Sequence, residues 1–471
     1  MKKDNILLVG SSDRAFGLLV LNSIINENTN YSSIISNTAD EISNTVKKFC
    51  EELYKKNPIE VMISHLFHKD FSSLKKDVEE KVEKEIEEND IRMVFMSISS
   101  PYYTFLNDLS SVIKEKFRNM PIIGGGPFFV KDEELFEYLR SSHFDGWCIG
   151  HASPIIEFLK RFENGKIFFK NQRFHGRLEN IEGLYFKTNR GIVGGGIGSF
   201  PYKQMNEVLY TKDEESVCIE TFGMSNCNNL CDYCCTIKEK TIPIEWWVKN
   251  VKKLHEQEND KKLWILHQED NPFHSKNLKI VKNFLESLKD YGIKPMLRGC
   301  FLDPSDLSFN YKNIVKMLNE YEINEETTFF IGRETCEEEI SEKLGRKYIG
   351  KIRKQKELDK EKVALDKFLD DFKECKMIIS YILTPWETEE STSTLLEEWE
   401  LLNSSNVEFR INPLTPFFGT RIRRKYRSFV NEKIPLSSYG MITYDANVIK
   451  RKLNKKGMMN IGKLYFKSFN F

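Results

Sequence analysis

The sequence predicts an α/β chain: a doubly wound parallel sheet, then a second series of six strand–helix repeats. Three observations predict it. Short apolar runs alternate with longer amphipathic stretches of helical spacing. Glycine, serine and proline punctuate the junctions. The alternation breaks only over 166–205, where strand-like segments follow one another without helices. Four parts result: a sheet domain at 1–165, a β-hairpin and linker at 166–205, the six repeats at 206–420, and a C-terminal extension at 421–471.

In the first part, Ile6 to Gly10 is a short buried strand, and helical spacing begins near Phe16. Val61 to His65 reads as a second strand and Ile91 to Ser99 as a third, clearer one. Tyr103 to Phe117 has helical spacing. Pro121-Ile122-Ile123 is a strand that runs into Gly124-Gly125-Gly126-Pro127. Asp132, followed by Glu133 and Glu134, is an N-cap, so helix resumes there. Gly146 to Gly150 is a last short strand. Such alternation implies a parallel sheet covered on both faces, with ligands beyond the carboxyl ends of the strands. The Ser97 to Ser100 and Gly124 to Pro127 loops fall at that edge.

The segment 166–205 offers Ile167-Phe168-Phe169, Gly183 to Phe186 and Gly191-Ile192-Val193 as hairpin strands. Its glycine run, Gly194 to Gly198, has no Lys–Ser/Thr pair or helix after it, so it reads as linker and not as a phosphate loop. From Val217 the spacing predicts strands at 217–222, 262–267, 294–298, 327–331, 377–383 and 407–411. Helices are expected between them at 245–258, 276–291, 311–321, 337–344, 360–375 and 392–402.

The first of those strands runs into Cys227-Asn228-Asn229-Leu230-Cys231-Asp232-Tyr233-Cys234, a C-x₃-C-x₂-C spacing. Three thiols this close can share one inorganic centre. Iron–sulfur clusters are usually held by four thiolates, so three would leave one iron open. A zinc site would call for a second cysteine pair or a trailing histidine pair, and neither follows. Cys235 reads as a spare thiol, with a C-x₃-C-x₃-C register as the alternative. The motif, with Tyr233 before its third cysteine, resembles that of the radical SAM enzymes. The resemblance implies a [4Fe-4S] cluster on Cys227, Cys231 and Cys234, S-adenosylmethionine (SAM) on the open iron, and a partial (βα)6 TIM-type barrel. Barrel sites lie at the carboxyl ends of the strands.

Those ends carry further matches. His267-Gln268-Glu269-Asp270-Asn271 is similar to the family's acidic segment after strand two, which offers Glu269 and Asp270 to the SAM ammonium; helix capping is the competing role. Gly332-Arg333-Glu334-Thr335 resembles Gly-x-Glu-Ser and points Glu334 at the SAM ribose or methionine end. Arg298, expected to end strand three, is a candidate partner for a carboxylate. Pro385-Trp386-Glu387-Thr388 and Pro416 to Thr420 resemble the later family segments.

The first part, with its serine and glycine loops, resembles the Rossmann-like cobalamin-binding domain often placed ahead of such barrels. The resemblance assigns Ser97, Ser99, Gly124, Gly125 and Gly126 to the cofactor's nucleotide tail. The cobalt-ligating histidine of many such domains is missing, because Ser11 to Gly17 contains none. The whole resemblance implies a methyltransferase for an unactivated carbon or phosphinate phosphorus of a small molecule or natural-product intermediate, served by an external electron donor of flavodoxin or ferredoxin type. Radical SAM cyclisation, rearrangement or methylthio transfer is a second reading, and a non-catalytic cobalamin or iron–sulfur sensor or carrier a third. Methylthio transfer usually brings a second cysteine triad, whereas only Cys50, Cys148 and Cys218 precede the motif, widely spaced.

Composition excludes other classes. Lys plus Arg and Asp plus Glu number 70 each, and a net charge of zero argues against nucleic acid as partner. No apolar run approaches the roughly 20 residues of a membrane helix, and Met1 to Val9 is too short for a signal peptide. Ten scattered cysteines suggest no disulfide framework, so a reducing, cytoplasmic setting is expected. The basic residues Arg421 to Lys425 and Lys450 to Lys456 read as solvated surface.

Overall fold

The apolar runs resolve into two seven-stranded sheets, one in each of two compact units built mainly from 1–206 and 207–416. The computed structural model describes residues 4–10, 16–36, 71–98, 103–126, 129–205, 208, 210–224, 227, 229–234, 241–267, 271–402, 406–414, 419–427, 456–457, 459–460 and 463.

The first unit runs β1 (Asn5–Gly10), α1 (Phe16–Asn28), β2 (Ser32–Ile35), α2 (Phe71–Glu88), β3 (Ile91–Ser97), α3 (Tyr103–Lys116), β4 (Ile122–Gly125), α4 (Glu133–Arg140), β5 (Gly146–Cys148) and α5 (Ser153–Glu163). Two hairpins follow: β6 (Ile167–Lys170) with β7 (Arg173–Gly176), and β8 (Leu184–Thr188) with β9 (Gly191–Gly194). Strand order is β2-β1-β3-β4-β5-β8-β9, and the first five strands are parallel. That 2-1-3-4-5 order is the flavodoxin-like doubly wound arrangement, with its topological switch point between β1 and β3. Ile6 to Val9 are wholly buried, as a strand covered on both faces must be.

Residues 184–194 form a hairpin as expected, and β8 adds antiparallel to β5 and extends the sheet. Its buried Tyr185 stacks on Trp147, with ring centroids 6.3 Å apart, and this apolar pairing holds the hairpin on the sheet edge. One edge strand was not expected: Ser32–Ile35, the second described strand in the chain, is a half-buried run whose mixed polarity hid it; the expected strand at 61–65 lies outside the described residues.

The second unit runs β10 (Tyr210–Lys212), β11 (Ser216–Thr221), α6 (Ile244–Gln257), β12 (Lys262–His267), α7 (Leu278–Lys289), β13 (Met296–Leu302), α8 (Pro304–Leu318), β14 (Thr328–Glu334) and α9 (Glu338–Leu344). Then come a small hairpin of β15 (Lys347–Tyr348) and β16 (Lys351–Ile352), α10 (Gln355–Asp371), β17 (Lys376–Leu383), α11 (Glu389–Leu402), β18 (Val407–Pro413) and α12 (Arg421–Lys425). Six strands, β11-β12-β13-β14-β17-β18, lie parallel and side by side in chain order, with β10 antiparallel at the edge. Right-handed crossovers that always step the same way place the helices on one face. Burial agrees. On β14, Phe329, Ile331 and Arg333 are buried, while Phe330, Gly332 and Glu334 between them are half-buried.

Strand three differs from expectation. It continues through the apolar residues after Gly299 to Leu302, so Arg298 sits within it and not at its end.

Candidate functional site

All six parallel strands of the second unit end at one edge, and the cysteine loop leaves β11 there. Cys227 and Cys231 are half-buried and Cys234 is exposed; no disulfide joins the described cysteines. Leu230 has φ of 59°, a left-handed kink between the first two cysteines. The Cys234 N–H donates to the Cys231 carbonyl at 3.3 Å and closes a turn before the third. Three thiols within eight residues suit a thiolate-held cluster by their chemistry. Among the described residues no three His, Cys, Asp or Glu side chains converge as a metal ion requires. Burial pushes the Cys231 thiol up to about 12, so binding of a metal would have to drive its ionisation. Cys235 lies outside the described residues.

The loop is seated against the segment that follows α9. The Asp232 N–H donates to the Gly345 carbonyl at 3.1 Å, the Lys347 N–H to Cys231 Sγ at 3.3 Å, and the Ile349 N–H to Asn229 Oδ1 at 3.2 Å. Cys231 Sγ–H in turn faces the Lys347 carbonyl at 3.6 Å, and Lys347 Nζ holds Asp232 at 2.6 Å. Gly345 adopts φ of 60°, and a Cβ there would overlap the Asp232 carboxyl, so glycine is required on both counts.

Glu334 reaches the same edge by a local device. The β14–β17 register slips between Gly332 and Glu334, which leaves Arg333 as the extra residue of a bulge. Bulges re-aim side chains. Arg333 turns into the helical layer, and Glu334, at φ of 63°, accepts a hydrogen bond from Tyr233 Oη. Arg346 Nε lies 3.3 Å from Glu334 Oε2. Burial raises the Glu334 carboxyl above its usual range, and Arg346 and Arg353 oppose that shift.

Beneath Glu334 lies a buried ion network. Glu361, 1% exposed, faces Arg333 at 3.4 Å, Arg346 at 3.4 Å and Arg353 at 3.1 Å, and accepts from Ser305 Oγ. Asp303 caps α8 through the Ser305 N–H and also takes Arg353 at 2.5 Å and Asn229 Nδ2 at 2.8 Å. Burial would raise the Asp303 carboxyl, but Arg353 and Arg346 outweigh it and hold it low. Asp306, one turn on, accepts from Asn271 at 2.6 Å, from the Tyr348 hydroxyl at 3.0 Å and from the Ser275 backbone; burial and repulsion from Asp303 push it up to about 7. Bringing charges out of water is costly unless each is paired, and Asp303, Glu361 and the three arginines are paired mutually, whereas Asp306 has neutral donors.

The remaining expected site residues fare differently. Glu269, Asp270 and Ser99 lie outside the described residues. Arg298 stands in the amino-terminal half of β13, pairs with Glu326 at 2.8 Å and rests 5.5 Å from the Trp264 ring, away from the cysteine edge. Ser97 ends β3 at the carboxyl edge of the first sheet, opposite Gly10 and Gly125. A Cβ on Gly124 would lie 2.5 Å from the Phe129 ring, and one on Gly126 (φ 103°) 2.7 Å from the Ile98 carbonyl. Those two glycines therefore admit neighbouring protein. Gly125 alone has room, its nearest neighbour being Cys148 Cβ at 3.7 Å. Glu387 is turned inward: it accepts from Thr384 N at 3.1 Å, Thr384 Oγ1 at 2.9 Å and Ser391 Oγ at 2.6 Å, and so locks the loop into α11.

Asp303, Arg346, Lys347, Arg353 and Glu361 were not foreseen. The one available signal was arginine at 333, 346 and 353, spaced through the run that joins β14 to α10.

No family model and no curated protein matches this chain. Among solved structures, a crystal structure of methylornithine synthase is similar over 53% of this chain and 62% of that one, at 15% identity and a TM-score of 0.28. The chain thus spans less than two thirds of that protein, and the likeness is too slight to bear on the site. Among the described residues no helix is long and apolar enough to cross a membrane.

Proposed function

We propose that this chain is a radical SAM enzyme whose second unit is the partial barrel of that family. The observation that carries the reading is the C-x₃-C-x₂-C loop at the carboxyl end of the first of six parallel strands laid out in chain order. Cys227, Cys231 and Cys234 would hold the [4Fe-4S] cluster. When bound, such a cluster supplies the electron that breaks the sulfonium of SAM. The protein's part is to seat the loop, orient the nucleotide and exclude water. Glu334, re-aimed by the bulge and held by Tyr233 and Arg346, is the residue to accept hydrogen bonds from SAM. Glu269 and Asp270, after β12, remain candidates for its ammonium. A small molecule as substrate and an external flavodoxin- or ferredoxin-like electron donor complete the proposal.

The test is anaerobic reconstitution followed by reduction with SAM present. Release of 5′-deoxyadenosine by the wild type, and none after Cys231→Ala, is expected. A wild-type protein that takes up iron and sulfide yet releases none is a carrier, and the enzyme reading then fails.

The finer reading is cobalamin-dependent methyl transfer to an unactivated carbon or phosphinate phosphorus. The flavodoxin-like strand order of the first unit supports it, since sheets of that order hold ligands at the switch point. Of the glycines assigned to the cofactor, only Gly125 has room for one. Spectra of protein reconstituted with cobalamin test it directly: no retention after desalting sets this reading aside and leaves the cluster proposal intact.

A further inference from the structure

We propose that the segment Gly345 to Arg353 is the positioning element of the cysteine loop, and that the Lys347 amide sets the reduction potential of the cluster by donating to Cys231. The inference rests on the cluster reading above. It starts from register. Asn229 meets Ile349, Cys231 meets Lys347, and Asp232 meets Gly345. As one strip ascends in number the other descends, so the two run antiparallel through main-chain donors, although no regular ladder forms. Such a strip fixes each residue of the loop to within one position.

The strip is anchored from behind. Arg353 Nη2 donates to the Lys347 carbonyl at 3.2 Å and to Asp303 at 2.5 Å, and Asp303 takes the Asn229 amide at 2.8 Å. The loop and its seat thus share one buried arginine and one partly buried carboxylate. Arg346, next to Gly345, donates to the Gly332 carbonyl at 3.0 Å and so ties the seat to β14. None of these groups is a sulfur ligand. Their effect on the cluster passes through Cys231, which makes Lys347 and its neighbours positioning residues.

An N–H aimed at a ligating sulfur stabilises the extra negative charge of the reduced cluster and raises its potential. The Lys347 N–H is 3.3 Å from Cys231 Sγ. The donor is a main-chain group, so Lys347→Ala keeps it while losing the Nζ–Asp232 pair, and Lys347→Pro loses both.

The experiment compares Lys347→Pro, Lys347→Ala and wild type, each reconstituted anaerobically, by potentiometric titration followed by electron paramagnetic resonance. Lys347→Ala, which loses the ion pair with Asp232 and keeps the N–H, sets the baseline, and Lys347→Pro is expected to shift the midpoint to a more negative value than Lys347→Ala. If Lys347→Pro does not fold, Asn229→Ala takes its place, because it frees the strip at its far end; a smaller shift of the same sign is expected. Equal potentials for Lys347→Pro and Lys347→Ala or, where Lys347→Pro does not fold, for wild type and Asn229→Ala, overturn the inference and leave the enzyme reading standing. A wild-type protein that takes up no four-iron cluster overturns both.

Discussion

The two units bury charge at opposite ends of their sheets. In the first, Lys114 and Asp145 pair out of water beside Lys187, where Asp145 also takes the N–H of Ile122 at 2.8 Å. Those groups precede β4 and β5, so the cluster sits at the amino end of the strands. In the second unit Asp303, Glu334, Arg346 and Arg353 follow the strands, at the carboxyl edge. Ligands of parallel α/β sheets are held at the carboxyl edge, and the amino edge serves stability. Buried charge is thus a fastening in one unit and the seat of a candidate site in the other.

Substitutions sharpen that contrast, beginning with the largest effect. Cys227→Ala, Cys231→Ala and Cys234→Ala should each reduce 5′-deoxyadenosine release to background, whereas Cys148→Ala in the first unit should leave cluster content unchanged by iron and sulfide assay. Next come the two ion clusters. Removing one partner of a buried pair costs about 3–5 kcal/mol, so Glu361→Ala and Asp145→Ala should both lower the denaturation midpoint by comparable amounts. Only Glu361→Ala should also lower the iron bound per folded chain. If Asp145→Ala loses iron equally, the contrast between the units is broken.

The glycine loop gives a smaller effect. Gly126→Ala forces an L-residue to φ of 103° against the Ile98 carbonyl and should cost about 1–3 kcal/mol in chemical denaturation. Gly125→Ala meets no such obstacle and should be neutral for stability. If it nonetheless weakens cobalamin retention, the first unit too carries a ligand at its carboxyl edge.

A further contrast is a pH dependence. Asp306 titrates near 7 when folded, against 3.8 when unfolded. A carboxyl raised on folding holds its proton longer in the native state. Its contribution is most favourable at acid pH and declines as pH rises from about 4 to about 7. Asp306→Asn should flatten that part of the stability curve, with a larger gain over wild type at pH 8 than at pH 5 in thermal melts.

What the sequence reveals follows from the range of each interaction. The strands of the second unit are legible because alternation is local: 262–267 is found where expected, and β11, β17 and β18 lie within two residues of expectation. The cysteine loop is legible because its spacing alone limits its chemistry. Glu334 is legible through a motif, but its bulge is not, because a bulge is a property of pairing with β17. The arginine–carboxylate network is invisible for the same reason. Arg353 and Asp303 are 50 residues apart, and only the completed sheet brings them together. Likewise β8 and β9, apolar enough to be strands, do not announce which edge they join.

The seat of the cysteine loop also imposes a schedule on its making. Cys231 leaves the ribosome 116 residues ahead of Lys347, which at about 5–20 residues per second is a delay of roughly 6–23 seconds. Throughout that interval the thiols have a strand behind them and nothing against which to align. On the cluster proposal, cofactor delivery would therefore wait for most of the second unit to be translated, and a nascent chain stalled within the first 340 residues would present its sulfurs to oxygen without the seat that aligns them.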